Sequence, residues 1–356
     1  MLRLVAVGRQ RWSHTGAIWK SWEKRERNAL MGGGEKRLET QHGRGKLSAR
    51  ERLRVLLDHT EEGSSFREVD RLVSGRGTDG AGPVGDGVVT GMGKIHGRDV
   101  AVYAQDFTVF GGSLAEAHAS KICKLMDRAA RCGTPILSLN DSGGARIQEG
   151  VVSLAGYAEI FRRNVEYSGV IPQISVIMGP CAGGAVYSPA LTDFVVMVKS
   201  TSNMFLTGPD VIRKVNFETV SKEALGGART HATKSGVAHL VAENDVDALL
   251  SVRELFSFLP QSWTSLCPRG HSNDPVDRED PVLDRIIPDD PGKEYDMREV
   301  IERVVDDSAF FEIHRDFGRS ILTGFARLGN TTLGVVANQP MELAGGLGIY
   351  FSLQAA

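Results

Sequence analysis

Two runs of small residues carry most of the chemistry this chain can do. One is Asp141-Ser142-Gly143-Gly144-Ala145-Arg146, which follows the apolar LSLN. The other is Gly179-Pro180-Cys181-Ala182-Gly183-Gly184-Ala185, which follows ISVIM. Each strand-like run ends in glycine and leads into helical sequence, so backbone N–H groups at the helix starts should face one side. Glycine removes the Cβ that would keep a ligand oxygen away from them. Two N–H donors over a floor with no obligatory side chain suit the carbonyl oxygen of a thioester. The structural alternative is close helix–strand packing. A P-loop is excluded, because neither turn continues as Gly-Lys followed by Ser or Thr, and a dinucleotide fingerprint is weak, because neither reads GxGxxG.

Side chains offer less. Ser142 lacks His and Asp partners at a recognisable spacing, so a hydrolytic triad is not expected. Glu149 has two readings, an acid or base for hydratase-like chemistry or a member of a structural ion pair. Of the histidines, His231 and His239, within GGARTHATKSGVAH, are the two to watch. The run QHGRGKLSARERLR brings Arg44, Lys46 and Arg50 together, either as a solvated helix face or as a site for phosphates. Cys123, Cys132, Cys181 and Cys267 form no CxxC pair, so neither a disulfide framework nor a metal site is expected.

Composition limits the rest. With 41% hydrophobic and 24% charged residues and a net charge of −2, the chain has the balance of an ordinary globular protein. Nothing in that balance favours nucleic acid or a membrane surface. No apolar run approaches the ~20 residues that span a bilayer. The first twenty residues hold Arg3, Arg9, Arg11 and Lys20 and no acid. That pattern predicts a mitochondrial transit peptide over residues 1–26 and a mitochondrial matrix location.

The elements that must position the glycine turns can be read from periodicity. Ser48 and Glu51 form a capping box ahead of ARERLRVLLD, and Ser113 and Glu116 form a second ahead of the next long helix. GVVTGMGKI and RDVAVYAQ pair around His96-Gly97. The strand–turn–helix rhythm from PILSLN to PQISVIM predicts an α/β layered core. Residues 266–296 are rich in Pro and Asp and read as a linker after a first domain at 27–265. Beyond the linker the chain echoes itself. ARERLRVLLD…SSFREV returns as MREVIERVVDDSAFFEI, and VVTGMGKIHGRDVAVYAQD returns as ILTGFARLGNTTLGVVANQ.

GGGEKR…QHGRGKLSARER, AQDFTVFGGSLAEAHASKICKLMD, LNDSGGARIQEGVVSLAGYAEIF, ISVIMGPCAGGAVYSPALTDF, FLTGPDVIRKV and GGARTHATKSGVAH together resemble the carboxyltransferase (β) chains of biotin-dependent acyl-CoA carboxylases. SGGARIQEGV followed by SLAGY is similar to the propionyl-CoA type rather than the methylcrotonyl type. The resemblance implies a crotonase-like fold in two related domains and a β-chain hexamer joined to biotin-carrying α chains, which also use ATP. It implies carboxyl transfer from carboxybiotin to propionyl-CoA, with enolate oxygen held by the backbone N–H groups of Gly183 and Gly184. Ser142, Gly143, Gly144, Ala145, Arg146, Ala182 and Ala185 are then the expected substrate contacts, and Arg44, Lys46 and Arg50 the expected phosphate contacts. The family pattern is expected to break after Pro340, leaving residues 297–340 as the start of a truncated second domain and 341–356 as a divergent tail. A non-catalytic acyl-CoA-binding or assembly-modulating chain, a related decarboxylase subunit and a Glu149 hydratase are the alternatives.

Overall fold

The computed structural model describes residues 13–349 apart from Glu62, 76–82, Val276, Pro291 and Leu347, and also Gln354. Residues 1–12 of the expected transit segment lie outside these. Its remainder falls in helix α1 (Ser13–Met31), which runs unbroken past the expected boundary at residue 26. Glu26 pairs with Arg71 at 2.6 Å, so this end of α1 is tied to the body.

Helices α2 (Glu35–His42) and α3 (Ala49–Leu56) follow. The capping box opens α3: the Ser48 side chain accepts from the Glu51 N–H, and the Glu51 carboxylate accepts from the Ser48 N–H at 2.8 Å. An eight-stranded sheet comes next. Its strands are β1 (Arg67–Val69), β2 (Val88–Ile95), β3 (Arg98–Gln105), β4 (Ile136–Ser142), β5 (Gln173–Ala182), β6 (Phe194–Val198), β7 (Asn203–Phe205) and β8 (Leu240–Ala242). Spatial order is β8-β6-β5-β4-β3-β2-β1, with β7 beside the far end of β5. Pairings from β8 to β3 are parallel, as is β7 with β5, and β1–β2–β3 is an antiparallel meander.

Both faces of the parallel strands are buried, which is why they read as near-continuous apolar runs. On one face Ile122 and Met126 of α4 (Glu116–Cys132) and Tyr157 and Ile160 of α5 (Val151–Tyr167) meet Ile177 and Met197. On the other, Leu53 and Leu56 of α3 and Leu249 and Phe256 of α6 (Asp245–Phe256) meet Leu137, Leu139, Ile174 and Val176. Removing each such side chain from water contributes roughly 1.5–3 kcal/mol. Among the described residues no helix is long and apolar enough to cross a membrane.

The second capping box does not form. Helix α4 starts three residues after Ser113, with no side-chain cap from its N-cap residue Ala115. The Glu116 N–H is met instead by the Glu149 carboxylate at 2.9 Å, an acceptor brought from 33 residues away. A charged acceptor at a helix start also opposes the positive end of its dipole.

Helix α7 (Met297–Val304) and the three-stranded sheet β9 (Phe311–Ile313), β10 (Ile321–Leu328) and β11 (Thr331–Asn338) repeat α3 and β1–β3. The repeat holds bond by bond. The Arg50–Glu68 pair returns as Arg298–Glu312. Asp58, which accepts the Gly97 N–H of one hairpin turn, returns as Asp306 accepting that of Asn330. Asp70 and His314 take the same left-handed backbone, φ 55 and 56. The echo also runs past Gln339: the one-turn helix Phe110–Gly112 recurs as Leu343–Gly345, and each contains left-handed residues. Residues 343–345 therefore continue the repeat within the segment expected to diverge.

Candidate active site

The glycine turns meet because parallel neighbours end side by side. Ser142 at the end of β4 is in register with Cys181 near the end of β5. Gly144 has φ 103, and a Cβ there would lie 2.8 Å from the Ala182 carbonyl oxygen. A third glycine turn completes the floor. The Gly143 N–H donates to the Gly111 carbonyl at 2.9 Å, and a Cβ on Gly112 would lie 2.1 Å from the Asp141 carbonyl oxygen. The FGG of the sequence carried the same signal as the other two turns, and sequence reasoning passed over it.

Gly183 (φ 61) and Gly184 open a one-turn 3-10 helix, Gly183–Val186, whose first N–H groups have no partner within the turn. Beyond its chain neighbours, a Cβ on Gly183 would meet only the Leu206 carbonyl oxygen, 3.9 Å away. This is the open, side-chain-free surface that a flat thioester needs. Gly184 rests on the Tyr157 ring, 3.2 Å from where its Cβ would be. Gly143 is exposed, and Ala145, Ala182, Gly183 and Gly184 are half-buried.

Other expected contacts turn inward. Ser142 is fully buried, its Oγ accepting the Gly144 N–H at 3.1 Å to close the turn. Ala185 is packed in the core between sheet and helices. The Arg146 guanidinium is buried among Asp86, Glu149 and the Ser113 carbonyl, so it braces the turn and does not face a ligand. Glu149 is committed to Arg146 and to the start of α4, which removes the acid or base of the hydratase reading. The Cys181 thiol donates to the Ala185 carbonyl, and burial pushes its pKa far up, away from nucleophile chemistry.

The basic run divides. Lys46 is buried and donates to Asp141 Oδ1 at 2.7 Å; desolvation pulls its pKa down while Asp141 pulls it up. Arg50 is held by both oxygens of Glu68 at 2.9 Å. Neither is available to a phosphate. Arg44 is exposed and lines a cavity of about 260 Å³ with Arg37, Phe107, Phe110 and Gly111, next to the third glycine turn.

The histidines lie elsewhere. His231 bridges the Met204 carbonyl and Ser235. His239 stacks on His314 at 4.3 Å, and burial and that neighbour lower its pKa to about 4.

The model of the carboxyl transferase domain matches residues 40–356, running through the segment expected to diverge. This chain belongs to the carboxyl transferase domain family. It is 57% identical to the propionyl-CoA carboxylase beta chain of Cereibacter sphaeroides over 343 residues, 95% of this chain. It is 54% identical to the mitochondrial propionyl-CoA carboxylase beta chain of Homo sapiens over 359 residues, 99% of this chain. The chain spans 66% of the length of each. Among solved structures, transcarboxylase 12S with methylmalonyl-coenzyme A and methylmalonic acid bound superposes with a TM-score of 0.92 at 45% identity, covering 97% of this chain and 67% of the other. The crotonase-like α/β fold of the family is thus the fold seen here.

Proposed function

We propose that this chain carries the acyl-CoA half of a carboxyltransferase that moves a carboxyl group from carboxybiotin to the α-carbon of propionyl-CoA, giving methylmalonyl-CoA. The observation that supports it most is the Cβ-free floor at Gly183, on a chain similar in sequence and fold to a transcarboxylase solved with methylmalonyl-coenzyme A bound. Carboxybiotin, a substrate borne by a partner α chain that also uses ATP, supplies the carboxyl group and, once it has given it up, a base for the α-proton.

The work of this chain is to polarise the thioester. The Gly183 and Gly184 N–H groups face its oxygen and favour the enolate that forms when the α-proton leaves. Loss of one such donor typically costs ~10²–10³ in rate. The other turns set the plane of the floor, with Gly143, Ala145 and Ala182 beside the acyl group. Arg44 is the cation we assign to the coenzyme A phosphates. No strong protein base is required, which agrees with a site whose carboxylates are all engaged in structural bonds.

A homo-oligomer of this chain is part of the same reading; the 12S neighbour is described as a hexamer. So is a mitochondrial matrix location, favoured by the Arg-rich first residues and by the mammalian relatives. Titration of the full chain with propionyl-CoA in a calorimeter tests the proposal. Saturable binding, lost in Gly183→Val, is the expected result. No binding of propionyl-CoA or methylmalonyl-CoA would overturn it.

A further inference from the structure

Glycine turns have no side chains to hold them in place, so the spacing between them must be set by neighbours. We infer that Asp141 is the positioning residue of this site: its buried carboxylate, gripped by Lys46 and Arg52, fixes the ends of β4 and β5 and thereby the two glycine turns. The inference rests on the acyl-CoA reading for its consequence, and on geometry for its cause.

Asp141 has no exposed surface. Its carboxylate takes Lys46 Nζ at 2.7 Å, Arg52 Nη1 at 2.9 Å and Gln41 Nε2 at 3.1 Å. Its own N–H donates to Gln105 Oε1 on β3. Arg52, also fully buried, reaches β5 just before Gly179, with Nη2 on the Met178 carbonyl at 2.9 Å. Its Nε donates to Asp245 at the start of α6, and the Leu47 N–H meets the same oxygen. One guanidinium therefore touches the end of β4, β5 at the residue before Gly179, and the helix behind them. Two cations face two carboxylates, so their charges balance, as buried charges require, although Asp245 Oδ1 is left without a hydrogen-bond partner among the described residues.

Two further glycines make room for this carboxylate and its backbone. A Cβ on Gly179 would lie 1.9 Å from Asp141 Oδ1, and one on Gly112 2.1 Å from the Asp141 carbonyl oxygen. The internal repeat separates this role from that of the fold. The second copy keeps the counterparts of Arg50, Glu68 and Asp58, yet Val300 stands where the first has Arg52. The α3–hairpin unit forms without the buried arginine.

Hydrogen exchange of the full chain, followed by mass spectrometry, tests this. In Asp141→Asn, peptides covering 141–150 and 179–187 should exchange faster, while those covering 88–95 and 321–338 should not change. Propionyl-CoA affinity should fall by about 5- to 150-fold. A merely structural aspartate would raise exchange in the control peptides as well, and that result would overturn the inference, as would unchanged exchange at the turns. Lys46→Met leaves Arg52 on the carboxylate and covers the case in which Asp141→Asn does not fold. It should show the same two peptides loosened to a smaller degree, and no loosening there would equally overturn it. If the unsubstituted chain binds no propionyl-CoA, the proposed function fails, while the exchange pattern still decides the role of Asp141.

Discussion

At the scale of single residues the glycines are not equivalent, and the differences can be measured. Gly144 sits at φ 103 with the Ala182 carbonyl in the way of a Cβ, whereas Gly143 is exposed and would place its Cβ 3.6 Å from the Gly111 carbonyl. Gly144→Ala should destabilise the chain by about 1–3 kcal/mol in urea unfolding. Gly143→Ala should change stability by no more than about 0.5 kcal/mol. Equal effects would mean that the turns do not touch as described. Residue types at the two strand ends announced the floor, because a run of glycines has few other uses. They could not reveal which members face outward. Ser142 and Arg146 look like ligand groups in the sequence, yet Ser142 closes its own turn on the Gly144 N–H, and Arg146 is drawn inward by Asp86 and the Ser113 carbonyl, from distant segments that no local pattern links. Lys46 misled for the same reason: a lysine in a basic run reads as solvated until Asp141, 95 residues away, is placed beside it.

At the scale of elements, periodicity was a reliable guide and capping was only half reliable. The first capping box is local and formed. The second failed because Glu149 reached the start of α4 first, a competition settled by tertiary structure. Helix α4 also brings in a group with a pH signature. His118 is fully buried, its Nδ1 facing the Asp86 carbonyl at 3.0 Å. Burial, with Lys121 and Arg146 adding to it, lowers its pKa to about 3. A histidine held neutral in the fold binds its proton only in the unfolded chain between the two pKa values, so stability falls as pH drops below about 6.5. From pH 7 to pH 5 the loss from His118 alone should be about 2 kcal/mol. Urea unfolding at the two pH values, compared with His118→Gln, reads it directly. The variant should lose visibly less stability over that interval, and an equal loss would place the acid sensitivity elsewhere.

At the scale of the whole molecule, the chain is a layered sheet with glycine turns at adjoining strand ends, followed by a helix and three-stranded sheet that repeat α3 and β1–β3. The loose echo between the two halves was legible because each copy must bury the same amphipathic helix against the same hairpin. Its continuation through Leu343–Gly345 was not, because Phe110-Gly111-Gly112 and Leu343-Ala344-Gly345 share backbone conformation and little sequence. The proposed chemistry rests on the floor itself, where backbone N–H groups polarise a thioester oxygen. Infrared difference spectra of propionyl-CoA labelled with ¹³C at the thioester carbonyl, bound to the full chain, test it most directly. The expected result is a carbonyl stretch shifted to lower frequency than in free propionyl-CoA, as strong hydrogen bonds to the oxygen require. A bound ligand whose carbonyl stretch matches that in water or lies above it would contradict the account.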